Sequence, residues 1–180
     1  GKGPRRMLTR RKTMEERMAI RDILTGDDPT LYKKCRPVDK IDERIKLILD
    51  NMAETMYAHE GVGLAAPQVG ILRRMFVMDC GDGLKELINP EVLETEGEQG
   101  CMEACLSFPN RRGYVVRPMK VRMRAQNRDG EWVEHTGEGL AARALLHEND
   151  HLDGQVYLNL VTEPPEGYKE EEEGEEAKPE

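Results

Sequence analysis

The sequence predicts an α+β fold in which mostly antiparallel strands surround a helix carrying a His-Glu-x-x-His pentad. Three observations carry that expectation: apolar residues at helical spacing over 39–59, alternating residues leading into an Asp-Gly turn at 129–130, and a second helical pattern over 138–152. No internal repeat is visible in the chain.

In chain order, Ile41, Ile45, Ile48, Leu49, Met52 and Met56 recur every three or four residues between Asp39 and His59. This is an amphipathic helix with acidic side chains outward and methionines in the core, and Gly61 reads as its stop. Residues 61–70, GVGLAAPQVG, read as a loop of small residues, and RRMFVMDC at 73–80 as a strand. KELINPEVLETEG at 85–97 reads as a strand broken near Asn89-Pro90, and QGCMEACLSFPNRRG at 99–113 as a second loop, too polar and glycine-flanked for core. In residues 114–137 the alternation of Val121, Met123 and Ala125 ahead of Asp129-Gly130 predicts a hairpin. The period then changes to helical over EGLAARALLHENDHL, closed by Asp153-Gly154.

Of the 180 residues, 38% are hydrophobic, enough for one core once the polar ends are set aside. Residues 1–17 hold seven basic and two acidic side chains, and residues 163–180 hold nine acidic and two basic ones. Neither end shows the apolar period of a packed element, so both read as solvated, flexible flanks of a catalytic domain at 18–162. The basic stretch reads as an extension ahead of Met18. A nucleic-acid contact there lacks interleaved aromatic residues, and Glu15 and Glu16 do not suit a transit peptide. No apolar run approaches the ~20 residues of a membrane span, which predicts a cytoplasmic protein. Cys35, Cys80, Cys101 and Cys105 show no disulfide-scaffold spacing.

The chemistry concentrates in three segments. His147 and His151, four apart on one helical face, can present two imidazoles to a single metal ion, with Glu148 beside it to handle protons. A third ligand is needed, and a cysteine thiolate upstream supplies one, leaving a tetrahedral ion one open position. Spacing leaves both Cys105 and Cys101 eligible. In the 61–70 segment, glycines such as Gly63 next to Val62 let a substrate backbone approach closely, and the Gln68 amide can donate to a developing oxyanion. Arg143 lies one turn before His147 on the same face. Its stem can line a pocket while its charge finds a carboxylate such as Glu103 or Glu138, or the charge can rim a substrate groove.

Taken in order, these segments resemble the peptide deformylases. Gly61, Gly63, Leu64, Ala65, Ala66 and Gln68 match the family's first motif. Glu103, Cys105, Leu106 and Ser107 match the second, with Ala104 where a glycine is usual; His147, Glu148, Asp150 and His151 match the third. The resemblance implies a deformylase-like fold and removal of the formyl group from the N-terminal formylmethionine of newly made proteins, with release of formate. It implies Cys105, His147 and His151 as ligands of one divalent metal, Fe2+ in cells, with Zn2+, Ni2+ or Co2+ also able to bind. Glu148 is then the proton shuttle, and Gln68 with the Leu106 N–H the oxyanion donors. Val62, Gly63, Glu103 and Arg143 are expected around the substrate, with Glu103 and Asp150 also able to orient ligands. The implied partners are N-formylmethionyl nascent chains at the ribosome, met by a monomer, with no nucleic-acid readout and no membrane. The alternatives are a metallopeptidase of other specificity and a structural zinc module closed by both Cys101 and Cys105.

Overall fold

The structure, a computed structural model, describes residues 19–170. The basic extension at 1–17 and the last ten residues of the acidic stretch lie outside the described residues.

Helix α1 (Glu43–Ala58) begins where the Asp42 carboxylate accepts from the Ile45 N–H at 3.0 Å, so the predicted start at Asp39 moves inward to a side-chain cap. At the other end it is Glu60, at φ 54°, that takes the left-handed conformation, not Gly61. Gly61 is required for space instead: a Cβ there would lie 2.7 Å from Leu106 Cδ1.

Strands β1 (Gly63–Ala65), β2 (Met75–Met78), β3 (Lys85–Glu96), β6 (Lys120–Gln126) and β7 (Trp132–Glu138) form one sheet in the order β1-β2-β3-β6-β7, every pair antiparallel. All four residues of β2 are buried, because the sheet is covered on both sides here. Met75 and Val77 pack with Ile48, Leu49, Met52 and Met56 of α1. Phe76 and Met78 pack with Ala142, Leu145 and Leu152 of α2 (Leu140–Leu152). A strand buried on both faces reads as a continuous apolar run, as MFVM does.

Asn89-Pro90 does not break β3. The strand runs through it as a bulge, with the register shifting between Ile88 and Glu91 and Asn89 at φ 52°. The Asn89 side chain then ties in neighbouring segments, accepting from the Val38 N–H at 2.8 Å and donating to the Gln126 Oε1 at 2.9 Å. The predicted β6–β7 hairpin is present, and Gly130 at φ 80° completes its turn.

Residues 99–113, expected as a loop, instead form most of a second ladder: β4 (Gln99–Cys105) pairs antiparallel with β5 (Phe108–Arg117). Leu106 and Ser107 make the two-residue turn between them. Ala104, where the resembling motif has glycine, lies in β4 without a left-handed φ, so a side chain is accommodated there. The hairpin packs through Phe108 and Val115 against Leu31, Val156 and Tyr157.

Residues 163–170, the first part of the acidic stretch, lie along β5. The Thr162 N–H bonds to the Tyr114 carbonyl at 2.9 Å, the Tyr168 ring meets Tyr114 edge-on, and Glu170 pairs with Arg112. Among the described residues, no helix is long and apolar enough to cross a membrane.

Candidate metal centre and substrate cleft

Helix α2 brings His147 and Glu148 to the lining of a cleft of about 800 Å³ and holds the fully buried His151 beside them, while the end of β4 and the turn after it bring Cys105 and Leu106 to the same cleft. The helix has no side-chain N-cap; Gly139 opens it at φ 62° and Gly154 follows its end at φ 72°. Its apolar face, Ala142, Ala144, Leu145 and Leu152, is buried against the sheet. That anchorage turns the pentad toward the hairpin.

Ligand atoms of Cys105, His147 and His151 all lie within 4.8 Å of one another. Cys105 Sγ stands 3.4 Å from His151 Nε2. A tetrahedral ion with bonds of roughly 2.0–2.3 Å keeps its donors about 3.5 Å apart, so the three donors fit one such ion. His147 turns its Nδ1 to Glu103, which leaves Nε2 for the cluster. Cys101 is not in this cluster; it stands opposite Val115 in the β4–β5 ladder.

The electrostatics favour positive charge where the donors meet. Burial lowers the proton affinity of His147, but Glu148, Cys105 and Glu103 outweigh it and raise the net value. His151 is held neutral chiefly by burial, the form that ligates a metal. Burial pushes the Glu148 carboxyl up to about 7, partly opposed by His147, so that it can gain or lose a proton near neutrality. Gly63 makes room for it, since a Cβ there would lie 2.8 Å from Glu148 Cγ.

Gln68 is held from the other side. Its Oε1 accepts from the Ala65 N–H at 2.9 Å, and its Nε2 donates to Ser107 Oγ at 3.1 Å and faces Cys105 Sγ at 3.5 Å. The amide N–H2 therefore points at the donor cluster. Val62, Gly63, Leu106 and Arg143 also line the cleft, so the sequence-predicted residues gather in one place.

Two of them are also bonded to neighbouring protein groups. Glu103 is buried, and both of its oxygens are taken: Oε1 by Arg117 Nη2 at 2.7 Å and by His147, Oε2 by Arg117 Nε at 2.9 Å and Arg143 Nη1 at 2.5 Å. Arg143 spends its charge on Glu103 and the Val115 carbonyl while its remaining surface lines the cleft. Arg117 went unnoticed in the sequence, where it ends an apolar YVV run and carries no motif. Tyr157 was also missed; its ring stacks on His147 at 5.8 Å and its hydroxyl donates to the Arg111 carbonyl at 3.0 Å.

Antiparallel sheets with two helices, and a cleft in which a thiol and two imidazoles can hold one metal ion, define a class of metal-site α+β proteins. A profile of the family described as "Polypeptide deformylase" matches residues 20–166. The peptide deformylase of Alkaliphilus metalliredigens is 55% identical over 144 residues, covering 80% of this chain and 98% of that protein. That of Acetivibrio thermocellus is 56% identical over 144 residues, covering 80% of this chain and 85% of the relative. The crystal structure of peptide deformylase from Thermotoga maritima superposes with a TM-score of 0.78 at 44% identity, over 80% of this chain and 99% of that one. The chain belongs to the peptide deformylase family, whose activity is metal-dependent removal of the formyl group from formylated peptide N-termini.

Proposed function

We propose that this chain deformylates N-formylmethionyl nascent chains with Cys105, His147 and His151 as the ligands of one divalent ion. The observation that carries this is the convergence of those three donors beside the buried Glu148, in a chain of this family. When bound, such an ion acidifies water and polarises a carbonyl, supplying a nucleophile near neutral pH. Fe2+ is the working ion in cells on this reading, and Zn2+, Ni2+ and Co2+ suit the same thiol-and-imidazole set.

Glu148 takes the proton of the attacking water and delivers it to the departing methionine amine, a role its near-neutral proton affinity suits. The Gln68 amide and the Leu106 N–H donate to the formyl oxygen as charge builds on it. Val62 and Gly63 lie along the substrate backbone, and the Arg143 stem forms pocket wall. Glu103 acts on His147 rather than on the peptide. The reaction takes place in the cytoplasm on chains emerging from the ribosome, and the enzyme acts as a monomer whose catalytic unit is 18–162, with residues 163–170 laid along β5 beside it.

Formate release from formyl-Met-Ala-Ser by protein loaded anaerobically with Fe2+ tests the reading directly. Cleavage of internal peptide bonds without formate release would instead make the protein a metallopeptidase. Metal bound with neither activity would make it a structural module.

A further inference from the structure

Two carboxylates outside the donor set, one buried and one half-buried, meet on one buried guanidinium. Arg117, at the end of β5, has 4% of its side chain exposed. It forks onto Glu103 through Nε at 2.9 Å and Nη2 at 2.7 Å, and reaches Asp150 with Nη1 at 2.9 Å. Glu103 lies two residues before Cys105 on β4 and accepts from His147. Asp150 precedes His151 on α2. A single planar cation thus joins the strand that carries the thiol to the helix that carries both imidazoles.

Resting on the ligand set proposed above, we infer that Arg117 is the positioning residue of the metal centre, setting the separation of β4 and α2 and orienting His147 through Glu103. The fork geometry is what suits arginine to this. Two parallel N–H bonds fix the Glu103 carboxylate in a plane, and the third donor is left over for a carboxylate on another element. Lysine retains the charge but is a point donor, unable to hold both carboxylates in the same fixed geometry. Outer partners of metal-binding histidines typically alter metal affinity by about 10–100-fold.

Asp150 gives the inference its sharpest consequence. Its carboxylate bonds to Arg117 and makes no hydrogen bond to the thiol or to either imidazole among the described residues. Its side chain is 29% exposed, so Asp150→Asn is a mild change for the fold. Arg128 provides a control for the Arg→Lys change itself at a more exposed site, since it joins Glu86 of β3 to Asp50 of α1 away from the cleft.

The experiment measures Co2+ affinity by chelator competition and the visible absorption of the Co2+ protein for the full chain and for Arg117→Lys, Asp150→Asn, the double variant, Arg128→Lys and Cys105→Ala. Arg117→Lys is expected to weaken Co2+ binding by about 10–100-fold and to change the absorption envelope. Asp150→Asn is expected to weaken it toward the lower end of that range, and the double variant to be no weaker than Arg117→Lys, because both changes break one linkage. Arg128→Lys should leave affinity and spectrum at parental values. If Asp150→Asn and a folded Arg117→Lys both keep parental affinity and spectrum, Arg117 does not position the centre. Should Arg117→Lys fail to fold, parental affinity in Asp150→Asn alone overturns the inference. Cys105→Ala separates the two proposals: if it keeps the metal, the ligand set is wrong, whereas its loss of metal beside unaffected Arg117 and Asp150 variants sinks only the positioning role.

Discussion

Two clusters of arginine and carboxylate in this molecule are built from the same residue types and do different work. On the outer face of the sheet, Arg122 bridges Glu134 at 2.8 Å and Glu94 at 3.3 Å, and Arg124 meets Glu91 at 2.8 Å while lying over the Trp132 ring. Beside the cleft, Arg117 makes bonds of similar length to Glu103 and Asp150. The distances hardly differ, but side-chain exposure is 41% for Arg122 and 4% for Arg117. Water screens the outer pairs and solvates either partner alone. In the interior a charge that loses its partner has no replacement. Distance in a structure therefore says little about an ion pair until burial is known.

The largest effect expected inside that buried region is chemical. Glu148→Ala should keep its metal and lose about 10² to 10⁴ in kcat, the usual range for general acid–base work. Metal content and steady-state kinetics on one preparation check both halves, and unchanged turnover would leave Glu148 with a packing role.

Next comes stability. Arg117→Met leaves Glu103 buried beside fewer cations and should cost about 3–5 kcal/mol in urea denaturation, as breaking a buried pair does. A loss below 1 kcal/mol would mean that Arg143 alone compensates Glu103, and the contrast with the outer cluster would shrink.

A smaller and more local change tests the fit around the buried carboxylate. Gly63→Ala places a methyl 2.8 Å from Glu148 Cγ. The carboxylate must move, which should lower kcat/KM by up to about 10²-fold for a displacement near 1 Å, with an overpacking cost of about 1–3 kcal/mol. Parental kinetics in this variant would show that the cleft yields without consequence.

The smallest effect belongs to the solvated face. Arg122→Met should leave the thermal midpoint where it is, at both low and high salt. A fall matching that of Arg117→Met would remove exposure as the reason the two clusters differ.

What the chain determined by itself was local. Four-residue spacing puts His147 and His151 on one face of any α-helix, and the 3.6-residue period over 41–56 marks α1 whatever packs on it. The Asp-Gly turn and the alternation ahead of it specify the β6–β7 hairpin for the same reason. Motif order was enough to bring Gln68, Cys105 and Glu148 into one expected site, because each segment carries its chemistry in a few adjacent residues. Tertiary structure decided what depends on distant partners. Residues 99–105 have the polarity of a loop because their ladder is a separate hairpin beside the cleft, and pairing, not period, makes them a strand. The choice between Cys101 and Cys105 depended on which one the hairpin turn carries to α2. Glu103 meets His147, and Arg117 meets Glu103 and Asp150, through bonds spanning 44, 14 and 33 residues of chain. No short window of sequence contains both ends of such a bond, and the burial that gives it strength exists only after β5, β4 and α2 have come together.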